Sequence, residues 1–251
     1  MYPSDTVRAV LDLAATGLSD HEIARRTGIS RGTVFNWRHG RRPARASPPS
    51  SCPQCEDAQT FRAEFGREYS YVLGQYLGDG CVFPNTTSYA LRISSDARYG
   101  GIISECCRAI EALCRRTPKV RQDSAKRLVN ILSYWKPWPC LLPQHGPGRK
   151  HARRIQLVRW QTEIVEDHPG RFLRGLIHSD GWRGLNRVTV KGRDYAYPRY
   201  QFSNRSDDIR ALFTYACDLV GIEWRPWGRW HISVARRASV ARLDEFVGPK
   251  T

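Results

Sequence analysis

YVLGQYLGDG, residues 71–80, decides the fold because the chain writes it twice: FLRGLIHSDG occupies residues 172–181, 101 positions on. Each copy is an apolar run with small residues four apart, Gly74/Gly78 and Gly175/Ser179. Each closes on Asp-Gly, at Asp79-Gly80 and Asp180-Gly181. In a helix, residues four apart share a face, so both copies predict a helix with a bare stripe that lets a second backbone come close. The Asp falls in the last turn, and the following Gly is expected to stop the helix in the left-handed conformation. Two such helices packed stripe against stripe would bring both carboxylates to one end of the seam. That is a candidate metal site.

The surroundings point to a polyanion. The chain has 251 residues, a net charge of +16 and a pI near 9.9. Such an excess of Lys and Arg favours nucleic acid, because each neutralised phosphate releases counterion. A composition of 41% hydrophobic and 25% charged residues is that of a soluble globular protein. No apolar run reaches the ~20 residues of a membrane span, and MYPSDTVRAV does not read as a signal peptide. The eight cysteines include the adjacent pair Cys106-Cys107, and Cys114, Cys140 and Cys217 in apolar contexts. They predict free, mostly buried thiols and a cytoplasmic protein, nucleoid-associated when on DNA.

Towards the N-terminus, Val7, Val10, Leu11 and Ala14 recur at helical spacing before Gly17. In SDHEIARRTGISRGTVFNWRHG, Ser19 and Glu22 form a capping box, Gly28 turns the chain and Ser30 can cap a third helix. This stretch resembles the DNA-binding helix-turn-helix. Its recognition helix would offer Arg31, Thr33, Asn36 and Arg38 to the major groove, with Val34 and Trp37 inward. We delimit this domain at residues 1–42, with Arg41 and Arg42 as further DNA contacts. Residues 43–60 are a basic Pro/Ser linker with Cys52-Pro-Gln-Cys55, half a zinc knuckle whose other two ligands have no counterpart nearby in sequence. Zinc is therefore not expected there.

From residue 61 the chain repeats itself, in halves of about 61–168 and 169–251. Strands are expected around YALRIS, at 126–132 and at 154–158 in the first half, and at 187–191, 197–203 and 230–234 in the second. Helices fall at 99–113, 160–165, 207–220 and 240–246. RIQLVRWQ (Arg154–Gln161) echoes HISVARRA (His231–Ala238), setting Arg159 opposite Arg236, and Ser95 aligns with Asn204.

The two motifs and the strands behind them resemble the LAGLIDADG homing endonucleases in their single-chain, two-motif form. The second copy matches better, since Gln75 and Tyr76 replace aliphatic residues in the first. Leu77 and His178 stand where the family has a non-catalytic Asp; the later, metal-binding acid is present both times. The resemblance implies an α+β fold, a duplicated αββαββα saddle about a pseudo-two-fold axis. It also implies site-specific cleavage of double-stranded DNA with Mg²⁺ or Mn²⁺, by a monomer. Asp79 and Asp180, with Gly78 and Ser179 beside them, would hold the metal. Arg159 and Arg236 are candidates for the basic role near it, Lys150 and Lys191 are runners-up, and Asn204 and Ser95 are candidates for the polar role. Arg92, Lys150, Arg187, Lys191, Arg199 and Arg205 would contact DNA. The alternative is a transcriptional regulator that keeps the scaffold and the helix-turn-helix without cleaving; a pure binder has no need of both acids. A resolvase or maturase acting on structured nucleic acid is a third reading. Intein association is not expected, because no splice-junction His-Asn is present.

Overall fold

The computed structural model describes residues 4–40, 52–123, 126–248 and 250, so Arg41, Arg42 and the basic stretch after them lie outside the described residues. Three helices come first: α1 (Ser4–Ala15), α2 (Asp20–Thr27) and α3 (Arg31–Arg38). The Ser19 N–H donates to the Glu22 carboxylate at 3.0 Å and the Glu22 N–H donates to Ser19 Oγ at 3.3 Å, completing the capping box. Gly28 ends α2 at φ 69°, a left-handed turn that a side chain would strain. Val10, Ile23, Ile29, Val34 and Trp37 then close a small core of their own, distinct from that of the main body.

The main body begins with a short helix, α4 (Pro53–Glu56), and the long α5 (Ala58–Asp79). There follow β1 (Gly80–Pro84), β2 (Tyr89–Asp96), α6 (Gly100–Cys114), β3 (Lys119–Asp123) and β4 (Leu128–Tyr134). A connection holding α7 (Trp138–Leu141) and a 3-10 turn (Lys150–Ala152) leads to α8 (Arg159–Asp167). The order then repeats as α9 (Pro169–Asp180), β5 (Gly181–Val190), β6 (Arg193–Ser203), α10 (Asp207–Leu219), β7 (Arg225–Trp227), β8 (His231–Val234) and α11 (Arg237–Val247). Each half is αββαββα, and its four strands form an antiparallel sheet, ordered β1-β2-β4-β3 in one and β5-β6-β8-β7 in the other. α6 covers the first sheet with Ile102, Cys106, Ile110 and Leu113. α10 supplies Ile209, Phe213 and Cys217 in the same place of the second half.

α5 and α9 form the seam between the halves, and their contact is reciprocal. A Cβ on Gly74 would lie 2.6 Å from the Phe172 carbonyl oxygen, and one on Gly175 would collide with the Tyr71 carbonyl. With the motifs 101 residues apart, these are the same contact seen from each side, as a two-fold axis requires. Beneath the seam runs a buried polar chain. Gln75 Nε2 donates to the Tyr71 hydroxyl (2.8 Å), which meets His178 Nδ1 (3.1 Å), while His178 Nε2 faces the Val247 carbonyl (3.3 Å). Burial lowers the His178 pKa to about 4, so the ring is neutral. Glu105 of α6 clamps Arg171 and Arg174 of α9, at 2.7 and 2.6 Å. Burial works to raise that carboxyl, and the two arginines override it.

Three sequence expectations are corrected here. Gly80 and Gly181 are not left-handed: both sit at φ −98° with extended ψ, and the chain passes straight from helix into strand. Glycine is needed because a Cβ would press on the Tyr76 Cα (2.5 Å) or the Ile177 Cα (2.6 Å). Residues 154–158 form no strand. Their backbone groups are taken by side chains instead: the Ile155 N–H donates to Asp208 and the Val158 N–H to Gln161, which starts α8. β3 and β7 were not foreseen, because KVRQD and RPW are exposed edge strands without apolar alternation.

Candidate active site

Helix α5 ends at Asp79 and α9 at Asp180, and the two acids meet where the seam opens. The approach depends on Gly78, since a Cβ there would overlap the Ser179 side chain and stand 3.1 Å from Asp180 Oδ2. Asp79 reaches solvent at the rim, yet protein fills most of the space around its carboxyl. That desolvation, followed by the charge of Asp180, raises its pKa to about 6, against the pull of Lys150 and Lys250. Burial raises Asp180 as well, and its hydrogen bond from Asn204 holds it partly back.

The strand registers explain Asn204. Gly181 pairs with Phe202, so Asn204, two residues further, comes level with the end of α9, and its amide donates to Asp180 Oδ2 at 2.6 Å. Gly80 pairs with Ile93 in the same way, which puts Ser95 in the matching place of the first half. Lys150, expected only as a runner-up or a DNA contact, is embedded in the site. Its ammonium donates to the carbonyls of Tyr76 (2.5 Å), Gly78 (2.8 Å) and Gly80 (2.9 Å), so its three donors cap the end of α5. Burial lowers it to about 8 although Asp180 and Asp79 pull upward. Lys250 does the same for the other helix, donating to the Gly181 carbonyl at 2.5 Å. Burial lowers it too, with both acids opposing. Lys250 was missed in the sequence. The available signal was its distance of 100 from Lys150, one short of the motif repeat. A recess of about 270 Å³ is lined by Leu77, Gly78, Lys150, Asp180, Asn204 and Arg205, among others. A larger depression, about 720 Å³, lies at the other end of the first sheet around Asn85, Arg116 and Lys119; no carboxylate lines it.

Neither arginine proposed for the basic role stands at the acids. Arg159, the first residue of α8, is 94% exposed and pairs with Glu163, which also binds Arg62 of α5. Arg62 is 17 residues before Asp79, about 25 Å along the helix. Arg236 pairs with Glu223. It lies past the end of β8, which starts beside Ser203 and runs away from Asn204. Nor are the two equivalent. Strand pairing matches β4 with β8, and following the registers from Ile93 and Phe202 sets Trp135, not Arg159, opposite Arg236.

The remaining candidates are spread over the sheets, their loops and the N-terminal domain. β5 and β6 project as a long ribbon; strand pairing puts the exposed Trp182, Val188, Tyr195 and Tyr197 on one face and the exposed Leu185 and Arg187 on the other, the face that carries buried Tyr200 and Phe202. Tyr195 and Tyr197 stack at 6.1 Å. Lys191 forms the tip in a left-handed conformation, φ 51°. Arg92 lies over Phe83 and Arg205 over Trp230, at 5.7 and 4.6 Å, and Arg199 is half-buried on β6. In the N-terminal domain Arg31 and Asn36 are exposed beside Phe35. Thr33 is occupied at the cap of α3, 2.8 Å from Ser30 Oγ, and Arg38 turns back to Asp20 at 2.8 Å. Among the described residues no helix is long and apolar enough to cross a membrane.

Residues 3–43 match a family model described as a homeodomain-like domain. A search of curated proteins returned no match. The fold resembles several solved structures. The homing endonuclease I-DmoI in complex with DNA and Ca is 12% identical with a TM-score of 0.50, over 74% of this chain and 92% of that one. The I-LtrWI LAGLIDADG homing endonuclease bound to target DNA is 8% identical with a TM-score of 0.45, over 73% and 82%. The chain thus has the fold of the single-chain LAGLIDADG homing endonucleases, preceded by a homeodomain-like helix-turn-helix domain.

Proposed function

We propose that the protein is a metal-dependent endonuclease that cuts double-stranded DNA at a specific site. The observation that carries this reading is the meeting of Asp79 and Asp180 at the seam, one acid from each half, each beside a lysine bound to its own helix end. Two carboxylates raised by burial, Asp79 also by the charge of Asp180, form a hard, anionic oxygen site, which suits Mg²⁺ or Mn²⁺. Asp79 and Asp180 would hold the ion, with the carbonyls of Gly78 and Ser179 nearby; the Gly78 carbonyl already accepts from Lys150. Bound there, the ion would neutralise phosphoryl charge and ease deprotonation of an attacking water.

The chain's own residues do the rest. Asn204 fixes the orientation of Asp180. Lys150 and Lys250 offset the negative ends of two helix dipoles that each also carry an acid, and they present positive charge where a scissile phosphate would lie. The β5–β6 ribbon has the width and the basic, aromatic surface to follow a major groove, and Arg31 and Asn36 of α3 would add contacts elsewhere on the duplex. These contacts fit a protein that works as a monomer, since both acids come from one chain.

The test is cleavage of a randomised plasmid library in Mg²⁺. Wild type should yield site-specific breaks, and Asp79→Asn with Asp180→Asn should lose them while keeping DNA affinity. Sequence-specific binding with no cleavage in any divalent cation would favour a regulator that uses the scaffold only to bind. The homeodomain-like domain and the full capping of the α5 end by Lys150 are the features that speak for that second reading.

A further inference from the structure

We propose that Cys52, Cys55 and Cys140 hold a structural zinc ion, separate from the seam and independent of the nuclease reading. The three sulfurs lie within 4.8 Å of one another, and those of Cys55 and Cys140 are 3.0 Å apart. With Zn–S bonds of about 2.3 Å, tetrahedral ligands stand about 3.8 Å apart, so Cys55 and Cys140 need to separate by less than an ångström, about 0.8 Å, for the three sulfurs to enclose the ion. A disulfide would need about 2.05 Å. The local chain is shaped for the purpose. The N–H groups of Cys55 and Glu56 both donate to the Cys52 carbonyl at 2.9 Å, a tight turn that brings the two thiols of Cys-Pro-Gln-Cys to one side. Cys140 arrives from α7, framed by Pro137 and Pro139, 85 residues away in sequence. The sequence showed only half a knuckle, and the fold supplies a third ligand.

Hydrophobic packing accounts for Cys52, which belongs to the main core, and in part for Cys140, but not for Cys55. Cys52 is buried, but Cys55 is exposed and Cys140 only half-buried, whereas thiols that serve a core are covered, as Cys106 and Cys217 are. The open side at Cys55 gives an entry path and leaves the fourth position to water. Zinc fits three thiolates better than a hard cation does. The ion would tie the chain arriving from the basic linker, at the foot of α5, to the connection that brings Lys150 to the active site ten residues later.

The experiment is elemental analysis of untagged full-length protein purified under reducing conditions. One zinc per chain is expected. Cys55→Ser and Cys140→Ser should each lose it, and Cys107→Ser should keep it. Because Cys55 is exposed, its variant should retain the wild-type circular dichroism, so metal loss is not read from an unfolded protein. Cobalt substitution should give a thiolate charge-transfer band that weakens in each variant, and a zinc-selective chelator should lower the melting temperature by several degrees in Mg²⁺ buffer. A zinc-free wild-type protein that cannot be loaded with zinc or cobalt, zinc retained by both serine variants, or a Cys55–Cys140 disulfide in the freshly purified protein would each overturn the assignment.

Discussion

Asp79, with a pKa raised to about 6, is half-protonated only about one pH unit below neutrality, and a protonated carboxyl is a poor ligand for a hard cation. Calorimetry with Mg²⁺ should therefore show affinity falling as pH drops from about 7.5 through 6. In the metal-free protein the sign reverses. A carboxyl whose folded pKa exceeds its unfolded value contributes stability below the unfolded value and loses it as pH rises through about 6. Neutral, buried His178 works the other way and gains stability over the same range, so the Asp79 part is read by difference: between pH 5 and pH 7 the apo Asp79→Asn variant should lose less, or gain more, stability than the wild type. Lys150→Met should slow cleavage about a hundredfold or more, the scale for losing a buried stabilising donor. It should also move the acid limb of the rate profile upward, because the cation that holds Asp79 down is gone; an unmoved limb would show that Lys150 does not act on the acids. The acids were legible in sequence because helix and Asp-Gly stop are local. The lysines were less so: Lys150 stood only as a runner-up and Lys250 was missed, since each reaches a helix end some seventy residues away, through loops no spacing rule governs.

At the scale of the element, the seam sets the tolerance. Gly175→Ala would push a methyl into the Tyr71 carbonyl, and chemical denaturation should report a loss of about 1–3 kcal/mol, the range for overpacking. The connection that carries Lys150 rests on a second buried network. Tyr69 Oη donates to the Leu141 carbonyl (2.5 Å), and Gln161 joins Tyr69 (2.6 Å) to Gln144 (2.5 Å). Gln161→Leu would strip Gln144 Oε1 and the Val158 N–H of their hydrogen bonds, at about 1–3 kcal/mol. Cleavage should suffer more than DNA affinity, since the mutation loosens the Lys150 support and not the outer face. The sequence revealed the helices well, as each has an apolar stripe. It misplaced Arg159 because RIQLVRWQ and HISVARRA are alike in letters, whereas equivalence between the halves is decided by strand pairing.

For the whole molecule, two cores mean two separable tasks. Deleting residues 1–50 removes the small core intact and leaves the main one unbroken. DNA binding by the shortened protein should weaken and its dependence on salt should flatten, because fewer phosphates are neutralised; unchanged affinity at all salt concentrations would show that the helix-turn-helix touches no DNA. Duplication and charge were readable at this scale, since repeats and composition survive without coordinates. The meeting of Cys140 with Cys52 and Cys55 was not, because it depends on the closure of an 85-residue loop.

The two ribbons differ in length. β1 has 5 residues and β5 has 10, so the second half extends about 17 Å further, or about five base pairs at the rise of B-DNA. On the proposed function, a chain built on a two-fold plan would therefore read an unequal pair of half-sites, and its target need not be a palindrome. Hydroxyl-radical protection should extend further on the side held by β5 and β6.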